Sequence, residues 1–240
     1  MVFTLMVILA LAVSPSFAED MPVIVWETIA PKPAIQTGEI TDSWEEIIAA
    51  IDDGSARQRY AVGATKELDL GNLGTVHMQL AGFDLDERAD GQGKAATTWI
   101  AVELLPERRA MNEEWTNTGG WRDSDLRKYL QDTVLPSMSL FIRQHIISVV
   151  KQQWTENGWQ MAEDTVWIPD YKEVFGDNVL YYDLFLNKEE KRVKHLKGSA
   201  SWWWMRSASS ANGFRCVYSD GSYNYISAYI SGGAALGFCL

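Results

Sequence analysis

The segment Ser199–Leu240 carries only three charged side chains, Arg206, Arg215 and Asp220, against nine aromatics and nine serines. Nearly all the remaining charge lies between Trp44 and Gly198. Inside this tail, Phe214–Tyr218 and Tyr223–Tyr229 flank Ser219-Asp220-Gly221-Ser222, and Asp-Gly between two β-prone runs is the strongest short-range hairpin signal. Strand alternation then places Tyr223, Tyr225, Ser227 and Tyr229 on one face and Ile226, Ala228 and Ile230 on the other. The aliphatic face is expected in the core and the tyrosines outward. Tyr, Ser, Gly and Asn together make an adaptable contact surface. The same composition also describes an ordinary Tyr-rich sheet edge, which composition alone favours.

At 240 residues the chain has room for one large domain or two small ones. Its hydrophobic content of 47% and charged content of 22% are those of a folded globular protein. A net charge of −11 argues against a nucleic-acid partner, because phosphate binding needs a basic patch. The one locally basic stretch, Lys188–Lys197, is diluted by Glu189 and Glu190 and reads as a solvated loop. Cys216 and Cys239 make no disulfide framework or metal spacing, and two free thiols are favoured over a pair. No metal, cofactor or catalytic constellation is expected.

The apolar run Val2–Val13, followed by Ser14-Pro15-Ser16-Phe17-Ala18, reads as a signal peptide over residues 1–18, although no Lys or Arg precedes it. It is too short for a comfortable membrane span. Residues 19–42 contain Pro22, Pro31 and Pro33 and read as a linker, so a single domain is expected over 43–240. Ser43-Trp44-Glu45-Glu46 forms a capping box, with Trp44, Ile47, Ile48 and Ile51 on one helical face and Asp52-Asp53-Gly54 as the stop. Strands are expected at Tyr60–Gly63, Leu68–Leu70, Val76–Leu80, Thr97–Val102 and Val166–Pro169. Ser124–Gln131 is expected to be a helix broken at Pro136, and Tyr171–Phe175 a helical turn closed by Gly176. Leu140–Val150 is apolar and fits helix or strand. The fold class is α+β, with helices early and an antiparallel sheet finishing the chain.

His77, His145 and His195 have no recognisable catalytic partners nearby in sequence. Asp84–Gly91 lacks calcium-loop spacing, since Arg88 takes a ligand position, and reads as an acidic turn. Gly91-Gln92-Gly93-Lys94 opens no helix and is a weak phosphate signal. Trp202-Trp203-Trp204 offers stacking surface, but neighbours on a strand alternate, so core packing is favoured over sugar binding.

Several segments together carry a family resemblance: Ser43–Ile48, Gly82-Phe83-Asp84, Gly119-Gly120-Trp121 with Leu126–Leu130, Val166–Pro169, Trp203–Ala208, Val217–Ser222 and Gly232–Cys239. Over residues 43–240 the chain resembles the C-type-lectin-fold variable proteins of diversity-generating retroelements, whose fold is related to that of formylglycine-generating enzymes. The resemblance implies a lectin-like scaffold, secreted or displayed on a cell or virion surface, that binds a protein or glycan through a diversified segment at about 207–231. It implies a constant frame of Trp203, Trp204, Arg206, Val217, Gly221, Gly237 and Phe238. The displayed positions would be Asn212, Arg215, Cys216, Tyr218, Tyr223, Asn224, Tyr225, Ile226, Ser227, Tyr229 and Ile230. Here it conflicts with the alternation, which buries Ile226 and Ile230. A structural module of a phage tail or envelope is the alternative function, and an oxidase-like enzyme a third.

Overall fold

A computed structural model of the chain describes residues 34–155, 158–176, 181–209 and 212–240, which form one compact unit. The expected signal peptide and most of the linker lie outside these residues. The described end of the linker is part of the domain. Gln36 and Glu39 bridge Tyr60 and Thr65 in parallel, and Ile40 is buried. The folded body therefore begins before Ser43.

Helix α1 (Trp44–Asp52) has both capping-box bonds, Ser43 accepting from the Glu46 amide and Glu46 from the Ser43 amide, and it buries Ile47, Ile48 and Ala50. After α2 (Ala56–Arg59) comes Tyr60, which makes only an isolated bridge, so the strand expected there is absent. Strands β1 (Thr65–Asp69), β2 (Thr75–Phe83) and β3 (Thr97–Ala101) follow. Next are α3 (Gly120–Asp123), α4 (Asp125–Tyr129), a π-turn at Leu130–Val134 and α5 (Leu135–Ser137). The wide π-turn re-phases the ladder, so Pro136 sits in the first turn of α5, where a missing N–H costs little. The helical run thus passes Pro136. The ambiguous Leu140–Val150 is both things, α6 (Leu140–His145) and then the start of β4 (Val149–Thr155).

Strands β5 (Gly158–Asp164) and β6 (Val166–Trp167) precede α7 (Tyr171–Phe175), which has a capping box from Asp170 and Glu173 and ends at Gly176 with φ +86°. The chain finishes with β7 (Lys194–Leu196), β8 (Ser199–Ser201), β9 (Trp203–Ala208), β10 (Gly213–Val217), β11 (Tyr223–Ser227) and β12 (Gly237–Cys239). One sheet has the order β1-β2-β3-β12-β6 and a second β11-β10-β9, with two hairpins, β4-β5 and β7-β8. All these pairings are antiparallel. The fold is α+β. Its helices are spread over three regions of the chain and are not concentrated early.

The last strand is locked in the middle of the larger sheet, with Phe238 opposite both Trp99 and Val166. A Cβ at Gly237 would come within 2.5 Å of the Trp167 ring, so that approach requires glycine. Trp203 and Trp204 are both fully buried, as core packing requires, and donate to the backbone oxygens of Arg192 and Arg109. Trp202 is half-buried and meets Trp204 edge-on at 5.0 Å.

A buried ionic network joins four separate segments. Arg206 on β9 forks onto Glu173 of α7 at 2.5 and 2.7 Å and also donates to the Ile168 carbonyl. Lys151 on β4 donates to Asp86 at 2.5 Å, to Tyr182 at 2.7 Å and to Glu173 at 3.3 Å, with its Nζ 3.3 Å from the Trp167 ring centroid. Asp86 further accepts from Thr98, Tyr182 and the Cys239 thiol. Asp86 is therefore a buried network member and not part of a solvated acidic turn. Burial pushes the Glu173 carboxyl up, but Arg206 and Lys151 outweigh it and hold it at about 2.

Lys188–Lys197 is not a plain solvated loop either. Lys194 is buried and donates to the Ala101 carbonyl. Burial lowers its ammonium to about 7, against the pull of Glu103.

Two consequences are measurable. Glu173→Gln leaves the buried Arg206 charge without its carboxylate, while Lys151 keeps Asp86, and is expected to cost about 3–5 kcal/mol in urea denaturation at pH 7. Because the folded Glu173 titrates below its unfolded range, its contribution is complete above about pH 4.5 and lost as pH falls towards 2. Lys194 acts in the same direction, at higher pH. From pH 7 to 9 the unfolded lysine stays protonated while the folded one does not, so stability rises with pH through this residue. The stability of Lys194→Met relative to the parent should be greatest below pH 7 and fall steadily towards pH 9; parallel curves would show that Lys194 does not titrate there.

Candidate functional site

The Asp220-Gly221 hairpin forms, with Gly213–Val217 paired to Ser227–Tyr223. Its loop is longer than a two-residue turn. Tyr218 donates to Ser222, Gly221 donates back to Tyr218, and Gly221 has φ +86°, a conformation that favours glycine. Asp220 accepts from both the backbone and the hydroxyl of Ser222. The Tyr218–Ser222 bonds fix the ladder phase. Tyr223, Tyr225 and Ser227 fall at non-bonded pairs with β10, so their backbone groups face the free edge of the sheet. At that edge the Asn224 side chain accepts the Tyr225 N–H at 2.8 Å.

One face of this hairpin is core. Phe214 and Cys216 on that face are fully buried, which removes Cys216 from the expected displayed set, and Val217, next in the strand and opposite Tyr223, is buried on the other face. The partner of Cys216 in register is Asn224. Burial pushes the Cys216 thiol up to about 12, and burial together with Asp86 pushes Cys239 well above its ordinary value. Both cysteines are free, as expected. Tyr218 and Ile226 are half-buried against the core, so neither is a fully displayed side chain. Ile230 is exposed, contrary to the alternation, because β11 ends at Ser227 and a turn follows. Ala228 is buried as expected. Asn212, Arg215, Asn224 and Ser227 are half-buried, and Tyr223, Tyr225 and Tyr229 are at least half-exposed. The seven frame residues, Trp203, Trp204, Arg206, Val217, Gly221, Gly237 and Phe238, are all buried.

The outer face of the hairpin adjoins α7. Tyr223 meets the rings of Tyr171 and Phe175 edge-on at 5.0 and 5.3 Å, and those two stack on each other at 5.2 Å. The Arg215 guanidinium lies 4.3 Å from the Tyr171 centroid and 5.7 Å from that of Tyr223. Two concavities meet at Arg215. One, of about 350 Å³, is walled by Trp159, Asp170, Tyr171, Lys172, Ser207 and Ala208. The other, of about 470 Å³, is walled by Ser209, Tyr223, Asn224 and Tyr225. Asp170 is held in place by α7 capping and by the Ser207 hydroxyl, which also accepts the Tyr171 N–H. Burial raises the Tyr171 phenol, helped by its neighbour Tyr223.

Four of the sequence-derived positions, Arg215, Tyr223, Asn224 and Tyr225, thus line one groove. Tyr229 and Ile230 do not line it. Sequence reasoning missed the α7 wall and Trp159. The Asp170/Glu173 capping box marks α7, but nothing local places it over the hairpin. It also missed Trp115, 64% exposed, whose indole donates to Ser227 at 3.4 Å and extends the aromatic surface beyond β11.

A family model described as Domain of unknown function (DUF6273) matches residues 95–236, a span that includes β9, the hairpin and α7. No curated protein and no solved structure matches the chain.

The burial of Cys216 and Cys239 sets an expectation for thiol chemistry. With an aromatic disulfide reagent at pH 8, native protein should label at well under one thiol per chain over minutes, and both thiols should react on unfolding in urea. Rapid native labelling of one thiol would put Cys216 back on the display surface.

Proposed function

The chain belongs to the DUF6273 family, and we propose that it is a ligand-binding protein whose contact surface is the outer face of the β10–β11 hairpin together with α7. What carries this reading is the groove itself. Arg215, Tyr223, Asn224 and Tyr225 line a concavity, while Phe214 and Cys216 on either side of Arg215 are core. Aromatic side chains with few rotatable bonds give contact area at low entropic cost, and a sheet held from behind loses little freedom on binding.

The finer reading rests on the sequence resemblance. The fold is read as C-type-lectin-like, the protein as secreted or displayed on a cell or virion surface, and the exposed hairpin positions as those a retroelement diversifies. The buried frame fits this division of labour, since changes at Tyr225 or Tyr229 leave the core untouched. Cys216, Tyr218 and Ile226 are less suited to variation than the resemblance implies, because each packs inward. A second reading, a structural module of a phage tail or envelope, draws support from the free edge of β11 and the exposed Trp115. An exposed strand edge is a ready site for pairing with a neighbouring subunit.

Screening the whole chain at micromolar concentration on a glycan array and a bacterial surface-protein array tests the proposal. Tyr223→Ala/Tyr225→Ala is expected to keep the parent's melting temperature within about 3 °C and to lose the parent's hits at least tenfold. An unchanged hit profile sinks the binding surface. If the parent instead self-associates in gel filtration and the double variant is monomeric, the packing-module reading replaces it.

A further inference from the structure

We propose that the groove meeting at Arg215 is a subsite for a carboxylated sugar, a uronic-acid-type ring whose carboxylate sits on the guanidinium. This rests on the binding-surface reading above and gives it a ligand class. The first observation is the state of Arg215. The chain is strongly acidic, with a net charge of −11, and several guanidiniums are paired with carboxylates: Arg206 with Glu173, Arg127 with Asp164, Arg59 with Asp42. Arg215 has no carboxylate partner among the described residues. It is held only by the faces of Tyr171 and Tyr223, with the two concavities on either side. A planar fork stacked on rings, with its N–H edge unspent, is prepared for an incoming planar anion.

The walls restrict what carries that anion. Tyr225, 61% exposed, offers a ring face to a ligand's C–H groups at one end of the groove, and at the other end the Lys172 ammonium lies 4.8 Å from the Trp159 ring centroid, a second positive charge beside Arg215. The Asn224 amide group, whose oxygen takes the Tyr225 N–H, keeps its N–H donors for a hydroxyl, and the Asp170 carboxylate keeps lone pairs beyond those taken by Ser207 and the Lys172 N–H. An extended acidic peptide is the competing carrier, and it would add to the free edge of β11 through main-chain bonds. The Asn224 side chain already occupies the Tyr225 N–H at that edge, which takes away a central ladder bond. The acidic surface as a whole also opposes a long polyanion, so a short oligosaccharide or a chain end is the ligand that fits.

Isothermal titration of the whole chain at pH 7 with tetragalacturonate, with the matching neutral galactose tetrasaccharide, and with a hexaglutamate peptide separates the alternatives. The acidic sugar is expected to bind at least about tenfold tighter than the neutral one, with the difference shrinking as salt rises from 0.05 to 0.5 M. Arg215→Gln should bring the acidic sugar down to the neutral level. Arg215→Lys should restore only part of the difference, because the charge returns without the fork. Tyr225→Ala should weaken both sugars alike, and an unchanged melting temperature in each variant keeps folding out of the comparison. Equal binding of both sugars, no binding of either, or preferential Arg215-dependent binding of the peptide overturns the proposal. In each of those cases array hits lost in Tyr223→Ala/Tyr225→Ala would leave the binding surface standing with a different ligand.

Discussion

The forked pair between Arg206 and Glu173 holds the candidate groove in its present shape. Glu173 is simultaneously the third residue of a capping box and the acceptor for Arg206 and Lys151. One carboxylate therefore starts α7, fixes that helix to β9, and ties both to β4. Lys151 carries the connection on to Asp86, and Asp86 reaches Thr98 on β3 and Cys239 on β12. The two sheets and the helix over the hairpin are thus referenced to a single buried cluster of charges.

Such a cluster is a poor source of raw stability. Taking four charged groups out of water costs several kcal/mol each, and well-packed apolar residues of similar volume often do as well or better. Its value here is directional. Apolar packing tolerates sliding of a five-residue helix, whereas a bidentate fork with fixed distances does not. Tyr171 is next to Asp170 and two residues before Glu173, so the register set inside decides where the Tyr171 ring lies outside. That ring is the seat of Arg215. The buried pair and the exposed guanidinium are in this sense the two ends of one lever, with α7 between them.

The sequence showed the parts of this arrangement that are local and hid the parts that are not. The Ser43 capping box, the Asp220-Gly221 hairpin and the Gly176 stop are encoded within four or five residues, and each appears where the pattern places it. The inward burial of Phe214 and Ala228 follows from strand alternation, and alternation fails at Ile230 only because the strand stops at Ser227. Asp86 and Lys194 look solvent-exposed in the sequence because charge there usually means exposure. Their partners, Lys151 and the Ala101 carbonyl, are 65 and 93 residues away. The groove was half legible. Its hairpin wall could be read from Tyr alternation, but Tyr171 and Lys172 join it on α7, which the ionic network anchors, and Trp159 joins it from the β4-β5 hairpin, and no spacing rule reports either.

The same geometry explains how the tail can combine tight packing with freedom to change. On β10 and β11 the residues that hold the sheet, Phe214, Cys216 and Val217, belong to the central strand, which is flanked on both sides. The exposed tyrosines belong mostly to the edge strand and the turn after it. An edge strand bonds on one side only, so replacing its outward side chains removes no core contact and breaks no ladder. What limits substitution is the inward row, where Ile226 packs and Ala228 is fully buried. Tolerance in this tail is therefore set by position in the sheet, strand by strand, and less by distance from the Trp203-Trp204 frame along the chain.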